Sequence, residues 1–248
     1  MLLYVCTKNT DISFFKIFSG WSRYKNSEKM KYFIRYIHKY LSFFISIQLL
    51  LWTISGIFFA FNKIELVRGE QYRVIQSNSV DLGKFNFEIE NIANAQITKR
   101  LEQEILIIEG DSGAQYLDIK GGSATKLSFE EAKKIVENLT TLTPMNVEEI
   151  KQPEKGSEYR GRALPLYKVS TTDTDDKEIN VYLNAYSGEV SAIRSAKWRT
   201  WDLMWGFHIM DWQERDNIDN LFLKIFSILA VISSLTGILL FFRIDVRS

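Results

Sequence analysis

Residues 41–61, LSFFISIQLLLWTISGIFFAF, form an apolar run without a single charged side chain. A helix rises about 1.5 Å per residue, so this run covers about 30 Å, the hydrocarbon thickness of a bilayer. A second run, FLKIFSILAVISSLTGILLFF at residues 222–242, contains Lys224 as its only charge, near the start, where a lysine reaches the lipid headgroups. We therefore predict two transmembrane helices, at residues 41–62 and 221–242.

The charges that flank these runs predict their orientation. Residues 1–40 are rich in lysine and arginine and contain only Asp11 and Glu28 as acidic residues, and Arg243 and Arg247 follow the second run. Because basic residues are retained on the cytoplasmic side, a leader at 1–40 and a tail at 243–248 are both expected in the cytoplasm. The first run is too long and too far from the start for a cleaved signal peptide, so it is expected to remain as an anchor.

Residues 63–197 are then expected to form an extracytoplasmic domain, followed by an aromatic interfacial segment at 198–220. The only cysteine, Cys6, lies in the leader, so the domain is expected to fold around its own core without a disulfide. The net charge is +1 and no basic groove follows the leader, which argues against nucleic acid as a partner. The sequence shows no phosphate loop, dinucleotide fingerprint or nucleophile motif, so we predict no catalytic side chain and expect electrons to come from elsewhere.

Strand and helix signals alternate in the first half of this domain. Residues 85–92, FNFEIENI, and 104–110, EILIIEG, predict strands. Ser128, with Glu131 three residues later, is a capping box that opens an amphipathic helix, expected to end before Pro144.

The second half predicts three more strands. Residues 164–171, LPLYKVST, and 178–185, EINVYLNA, flank a polar turn, and Gly188 opens a turn into a further strand. The aspartates of the polar turn lack the glycine and the final glutamate of a calcium loop, so a plain hairpin turn is favoured. A helix on one face of an antiparallel sheet defines an α+β fold.

Three of these segments together resemble the PepSY domain. They are SFEEAKKIV at 128–136, LPLYKV at 164–169 and VYLNAYSGEV at 181–190. In that family a helix with a serine or threonine cap precedes a hairpin that ends in a tyrosine and a Gly-Glu-Val turn. A second, more divergent copy is suggested at Gln71 to Leu117.

The membrane segments extend the resemblance. Residues 35–61 are similar to the first helix of PepSY-associated membrane proteins, through Arg35, His38, Ser55 and Gly56. WDLMWGFHIMDW at 201–212 and ISSLTGILLFF at 232–242 are similar to the second helix. His208 then precedes that helix and Gly237 lies late within it. This chain has one such helix pair where larger members have two.

The resemblance implies a function in electron transfer. It implies a protein of the bacterial cytoplasmic (inner) membrane, with its central domain in the periplasm, that binds haem b and reduces ferric iron or ferric siderophores. Electrons are then expected from the quinone pool or a cytoplasmic donor. The implied haem-binding residues are His38, His208, Arg35, Gly56 and Gly237.

His38 and His208 are the only histidines of the chain, and the predicted topology separates them. His38 begins the first helix on the cytoplasmic side and His208 lies on the outer side, about 30 Å away, so one iron cannot bind both within one chain. A homodimer with a four-helix bundle pairs each histidine with its own copy and holds up to two haems. Otherwise Met204 or Met210 serves as the sixth ligand.

Simpler interpretations stay open for each of these residues. His38 can simply lie at the membrane–water interface together with Arg35, and His208 can belong to an aromatic belt that anchors a helix. Gly56 is expected at the membrane depth of His208, and Gly237 at the depth of His38. Both glycines can simply allow close packing of the helices.

Two other function classes also remain open at this point. One is a membrane-anchored PepSY module that binds or inhibits a peptidase, or senses an envelope ligand, without haem. The other is a haem-free accessory subunit of a transporter.

Oxygen ligands for ferric iron are available in a cluster of acidic residues, Asp211, Glu214, Asp216 and Asp219. A solvated loop is the favoured interpretation of that cluster.

Overall fold

The computed structural model describes residues 10–75, 94–110 and 113–244, with helix side chains described from Lys29 to Phe242. One compact unit comprises the described parts of Met1–Ile54 and Ile218–Ser248, and the other is Ser55–Asn217. The helices and strands, in chain order, are α1 (Thr10–Phe61), α2 (Ile64–Val67), a 3-10 helix (Glu70–Tyr72), β1 (Asn94–Arg100), β2 (Gln103–Gly110), β3 (Gly113–Leu117), α3 (Phe129–Leu139), β4 (Thr143–Ile150), β5 (Leu166–Thr172), β6 (Glu178–Asn184), β7 (Val190–Arg194), α4 (Ala196–Ile209) and α5 (Leu221–Ile244).

Two helices are long and apolar enough to cross a membrane, over Lys29–Phe61 of α1 and Leu221–Phe242 of α5. Large apolar side chains remain exposed on both helices, and Phe43 and Phe44 are each about three-quarters exposed. Such surfaces suit a hydrocarbon environment, so the chain is a membrane protein, as predicted. Helix α1 begins at Thr10, well before the predicted start at Leu41, because the lysines and glutamate that precede the apolar run are themselves good helix formers.

Two antiparallel sheets form the β structure of the second unit, in the orders β1-β2-β3 and β4-β5-β6-β7. In the larger sheet one row of paired residues, Val147, Val169, Val181 and Ile193, crosses all four strands. All four side chains are buried and belong to one apolar core. The α+β class predicted from the sequence is therefore confirmed.

Helix α3 covers one face of this larger sheet. The Ser128 hydroxyl accepts a hydrogen bond from the Glu131 N–H, and the Glu131 carboxylate accepts one from the Ser128 N–H, so the predicted capping box is present. Ala132, Ile135 and Val136 are buried in the core below the helix. Burial of an isoleucine or valine side chain stabilises a fold by about 1.5–3 kcal/mol, so packing more than capping holds α3 in place.

The observed strands differ from the predicted ones at β4. This strand directly follows α3 and was not expected, because in TPMNVEEI only Val147 is a buried apolar residue. β4 lies at the edge of its sheet, a position where the missing N–H of Pro144 is tolerated. The predicted strand at 85–92 lies outside the described residues. So does part of the proposed second copy, whose described remainder contains β1, β2 and β3.

Gly188 makes the turn between β6 and β7 in the left-handed region, at φ 71°. A Cβ at this position would lie 2.7 Å from Ile135 Cδ1 in the core, whereas at Gly161, also at φ 71°, no described atom other than those of the adjacent residues lies within 4 Å.

We expect Gly188→Ala to lower the free energy of unfolding by about 1–3 kcal/mol more than Gly161→Ala. In both variants an alanine must adopt a left-handed backbone conformation, which is unfavourable. Only Gly188→Ala also overpacks the core. Urea unfolding followed by tryptophan fluorescence measures the difference. Equal losses in the two variants would contradict the proposed overlap with Ile135.

Candidate functional site

His38 lies half-buried on α1 and bonds to α5 within the helical unit. Its Nδ1 is 3.2 Å from the Ser233 carbonyl oxygen and 3.0 Å from Thr236 Oγ1, with Ser42 Oγ at 3.4 Å. A carbonyl oxygen only accepts, so Nδ1–H is the donor of that bond. In the neutral ring the lone pair is then on Nε2.

Gly237 of α5 lies directly against this imidazole. A Cβ at Gly237 would be 3.1 Å from His38 Cε1 and 3.7 Å from Nε2. The absence of a side chain thus lets the ring lie close to the α5 backbone, as small residues do between membrane helices.

His208 lies near the end of α4, in the second unit. Its Nδ1 is 2.8 Å from the hydroxyl of Ser55, a fully buried residue. Burial lowers the pKa of His208, so its ring is neutral near pH 7. At Gly56, next to Ser55, no atom of the described residues beyond its own stretch of helix lies within 4 Å of a Cβ.

An aromatic stack leads from His208 along one face of α4. Trp205 stacks on the His208 ring, with 6.2 Å between centroids and 11° between planes, and Trp201 stacks on Trp205 at 5.6 Å and 12°. Phe59 packs against His208 and Trp201 from the side. The spacings of four and three residues bring these rings to the same side of the helix.

The same tryptophans line a cleft of about 580 Å³ in the second unit. Its walls come from α2, the 3-10 helix, β7, α4 and the loops around Arg160 and Arg215. The cleft is lined by six arginines, Arg68, Arg73, Arg160, Arg162, Arg194 and Arg215, and by four acidic residues, Glu70, Glu158, Asp202 and Asp216.

Asp202 of α4 is the most buried charge of this cleft, with 4% of its side chain exposed. Arg160 donates to Asp202 Oδ1, and Arg215 Nε lies 2.9 Å from Oδ2. A Cβ at Gly206 would come within 2.7 Å of Arg215 Cγ and 3.0 Å of the Asp211 carbonyl oxygen. Gly206 therefore allows the chain after α4 to return along the helix, so that Arg215 reaches Asp202.

Glu158 and Arg194 organise the other wall of the cleft. Burial raises the pKa of Glu158, but hydrogen bonds from Arg199, Asn180 and Tyr182 outweigh it and lower that pKa overall. Arg194 donates to the Glu158 carbonyl oxygen and lies 4.3 Å from the centroid of Trp198. Burial, assisted by the charge of Arg162, lowers the pKa of Arg194 to about 10.

Comparison with known protein families assigns this architecture. The family model described as the PepSY-associated TM region matches residues 35–248, which is most of the chain. This chain belongs to the PepSY-associated transmembrane family. Neither the curated proteins nor the solved structures that were compared give a match. The match confirms the family indicated by the helix sequences at 35–61 and 201–242.

The structure also places the other candidate ligand residues of this PepSY-associated protein, which are Arg35, Met204 and Met210. Arg35 is exposed on α1, nearly one turn before His38. Met204 is partly exposed one turn before His208 on α4, and Met210 is buried at the end of that helix.

Three of the four acidic residues at 211–219 have structural partners. Asp211 accepts hydrogen bonds from the backbone of the loop that follows it, Glu214 pairs with Lys155, and Asp219 pairs with Lys224. Within the described ranges no group of three or more histidine, cysteine or acidic side chains is arranged to hold a metal ion. The structure therefore favours the solvated-loop interpretation of this cluster.

The arginine-lined cleft was missed by sequence reasoning. Its arginines are scattered between residues 68 and 215, and only the tertiary fold brings them together.

Asp202→Asn should destabilise this unit strongly, by about 3–5 kcal/mol, because two arginines lose their buried counter-charge. Glu214→Gln is the matched control: it breaks an exposed pair with Lys155, and such pairs contribute about 0–1 kcal/mol. Chemical denaturation of both purified variants gives the comparison. A loss below 1 kcal/mol for Asp202→Asn would contradict a structural role for this carboxylate.

Proposed function

We propose that this membrane protein binds haem b and transfers electrons across the bacterial inner membrane to ferric iron or ferric siderophores. The supporting observation is the fixed orientation of both histidines through Nδ1, at 3.0–3.2 Å for His38 and 2.8 Å for His208. Metal-ligating histidines typically use their other ring nitrogen in this way. The activity is that of a haem-dependent ferric reductase.

The surroundings of the histidines also suit a flat macrocycle. At Gly56 no atom of another described segment lies within 4 Å of a Cβ, and Gly237 leaves space only for the His38 ring. Arg35 is exposed near His38, where its guanidinium can pair with a propionate carboxylate. Gly56 and Arg35 therefore fit the group that the family resemblance implies, whereas the His38 ring already lies against Gly237.

A homodimer with a four-helix bundle is the proposed assembly. Met204 lies one turn from His208 on the same helix, so in this proposal the second ligand for a haem held by His208 would come from a second copy of the chain. A two-fold axis brings His38 to its own copy and His208 to its own copy.

In the proposed topology the leader and the tail are cytoplasmic and residues 63–197 are periplasmic. His38 then lies toward the cytoplasmic donor or quinone, and His208 lies toward the iron substrate. Bound haem supplies the one-electron redox chemistry. The chain orients the two imidazoles through Ser233, Thr236 and Ser55 and keeps the ring of His208 neutral.

The arginine-lined cleft favours a second candidate function, because a ligand site there requires no haem. Under this alternative the protein is a membrane-anchored PepSY module that senses an envelope ligand, or binds or inhibits a peptidase. The histidines then only form hydrogen bonds between helices.

We expect the detergent-solubilised protein to show a Soret band that shifts on dithionite reduction. His38→Ala and His208→Ala should each lose at least half of the bound haem, because each is proposed to ligate one iron per dimer. Free imidazole should restore part of it by entering the space that the ring leaves. Tyr40→Ala, which removes an exposed ring two residues from His38, should keep the full haem content.

A colourless protein would refute the haem proposal and support the second candidate. Full haem content in both histidine variants would refute the assigned ligands.

Gly56→Leu should lower haem content and leave the fold intact. Among the described residues, beyond the neighbouring atoms of its own helix, no atom lies within 4 Å of a Cβ at Gly56, so the position tolerates a first side-chain atom, and a bulky side chain there would compete with a group bound against this surface. Ala60→Leu is the control, since Ala60 is exposed one turn later on α1. The haem-to-protein ratio and the circular dichroism spectrum measure both effects, and equal haem content in the two variants would contradict a haem at Gly56.

A further inference from the structure

We propose that the arginine-lined cleft binds a small anion with several carboxylate groups, a class that includes ferric hydroxycarboxylate chelates. The binding site stands independently of haem. Its role as the site of the iron substrate rests on the proposed function.

The arginines of the cleft carry more positive charge than their protein partners neutralise. Arg160 and Arg215 pair with Asp202. Within the part of the chain that the structure describes, the other four, Arg68, Arg73, Arg162 and Arg194, form no ion pair with a carboxylate. The lining as a whole has six arginines against four acidic residues, and an excess of positive charge in a partly enclosed space favours the binding of an anion.

The hydrogen bonds of these arginines hold the guanidinium groups in place without cancelling their charge. Arg73 donates to the Val190 carbonyl oxygen, and Arg194 donates to the carbonyl oxygens of Glu158 and Ile193. Arg194 also lies over the ring of Trp198, and this cation–π contact adds to the hydrogen bonds that hold its side chain. Arg68 and Arg162 are exposed and can meet a ligand directly.

The size of the cleft and the type of cation indicate a molecule with several carboxylates. Its 580 Å³ falls within the range of about 300–1,000 Å³ that is typical of small-molecule sites. Guanidinium groups bind carboxylates through two parallel hydrogen bonds. One phosphate is much smaller than this space, whereas a molecule with several carboxylates can pair with more than one of the arginines that line it, among them the exposed Arg68 and Arg162.

The position of the tryptophans connects this cleft with the candidate redox residue. Trp198, Trp201 and Trp205 line the cleft, and Trp205 is stacked on His208. A ferric carboxylate complex in the cleft would therefore lie against a ring that contacts His208. This is the arrangement that the proposed function requires of a substrate site.

Calorimetric titration of the full-length, detergent-solubilised protein with citrate and with ferric citrate tests the proposal. Saturable binding that weakens with salt is expected. The double variant Arg68→Gln with Arg162→Gln should bind at least tenfold more weakly, because charge-assisted hydrogen bonds to both exposed cations are lost. The control is Lys120→Gln with Lys197→Gln, two exposed lysines outside the cleft whose loss changes the net charge equally.

Three results would overturn the proposal. They are the absence of saturable binding of either probe, equal weakening in the two double variants, and inorganic phosphate binding as tightly as citrate.

The same titration separates this inference from the haem proposal. A colourless wild-type protein that binds citrate supports the cleft and refutes the haem. A haem-containing protein that binds neither probe refutes the cleft alone.

Discussion

The arrangement of the second unit depends on one buried carboxylate. Asp202 lies in the middle of α4, where an unpaired negative charge would be strongly unfavourable, and it is stabilised only because Arg160 and Arg215 converge on it from two loops. The same helix carries Trp201, Trp205 and His208. The ion triad therefore determines the position of the aromatic stack, one wall of the cleft and the imidazole at the same time.

The two histidines are held by related contacts that differ in one chemical respect. At His38 a backbone carbonyl requires Nδ1 to carry the proton. At His208 the partner is the Ser55 hydroxyl, which can either donate or accept, so either tautomer can satisfy that bond. One imidazole is thus fixed in both orientation and protonation pattern, whereas the other is fixed in orientation alone.

Local signals were enough to predict much of the fold. The capping box, the two long apolar runs and the alternation in LPLYKVST and EINVYLNA depend on neighbouring residues, and α3, α1, α5, β5 and β6 follow from them. β4 was not predicted because its neighbours across the sheet, and not its own apolar content, hold it in place. The histidines were found because they are the only two in the chain. The arginine cleft depends on contacts between residues far apart in sequence, which no local pattern reveals.

The narrow passage at Gly206 has a consequence for engineering this protein. Replacing a glycine inside a helix with alanine is a common route to greater thermal tolerance, because alanine is the better helix former. At this position the extra methyl group would collide with Arg215 Cγ and push the returning loop outward. An alanine introduced at Gly206 to strengthen α4 would then separate Arg215 from Asp202, and so remove one of the two cations that hold this helix in place.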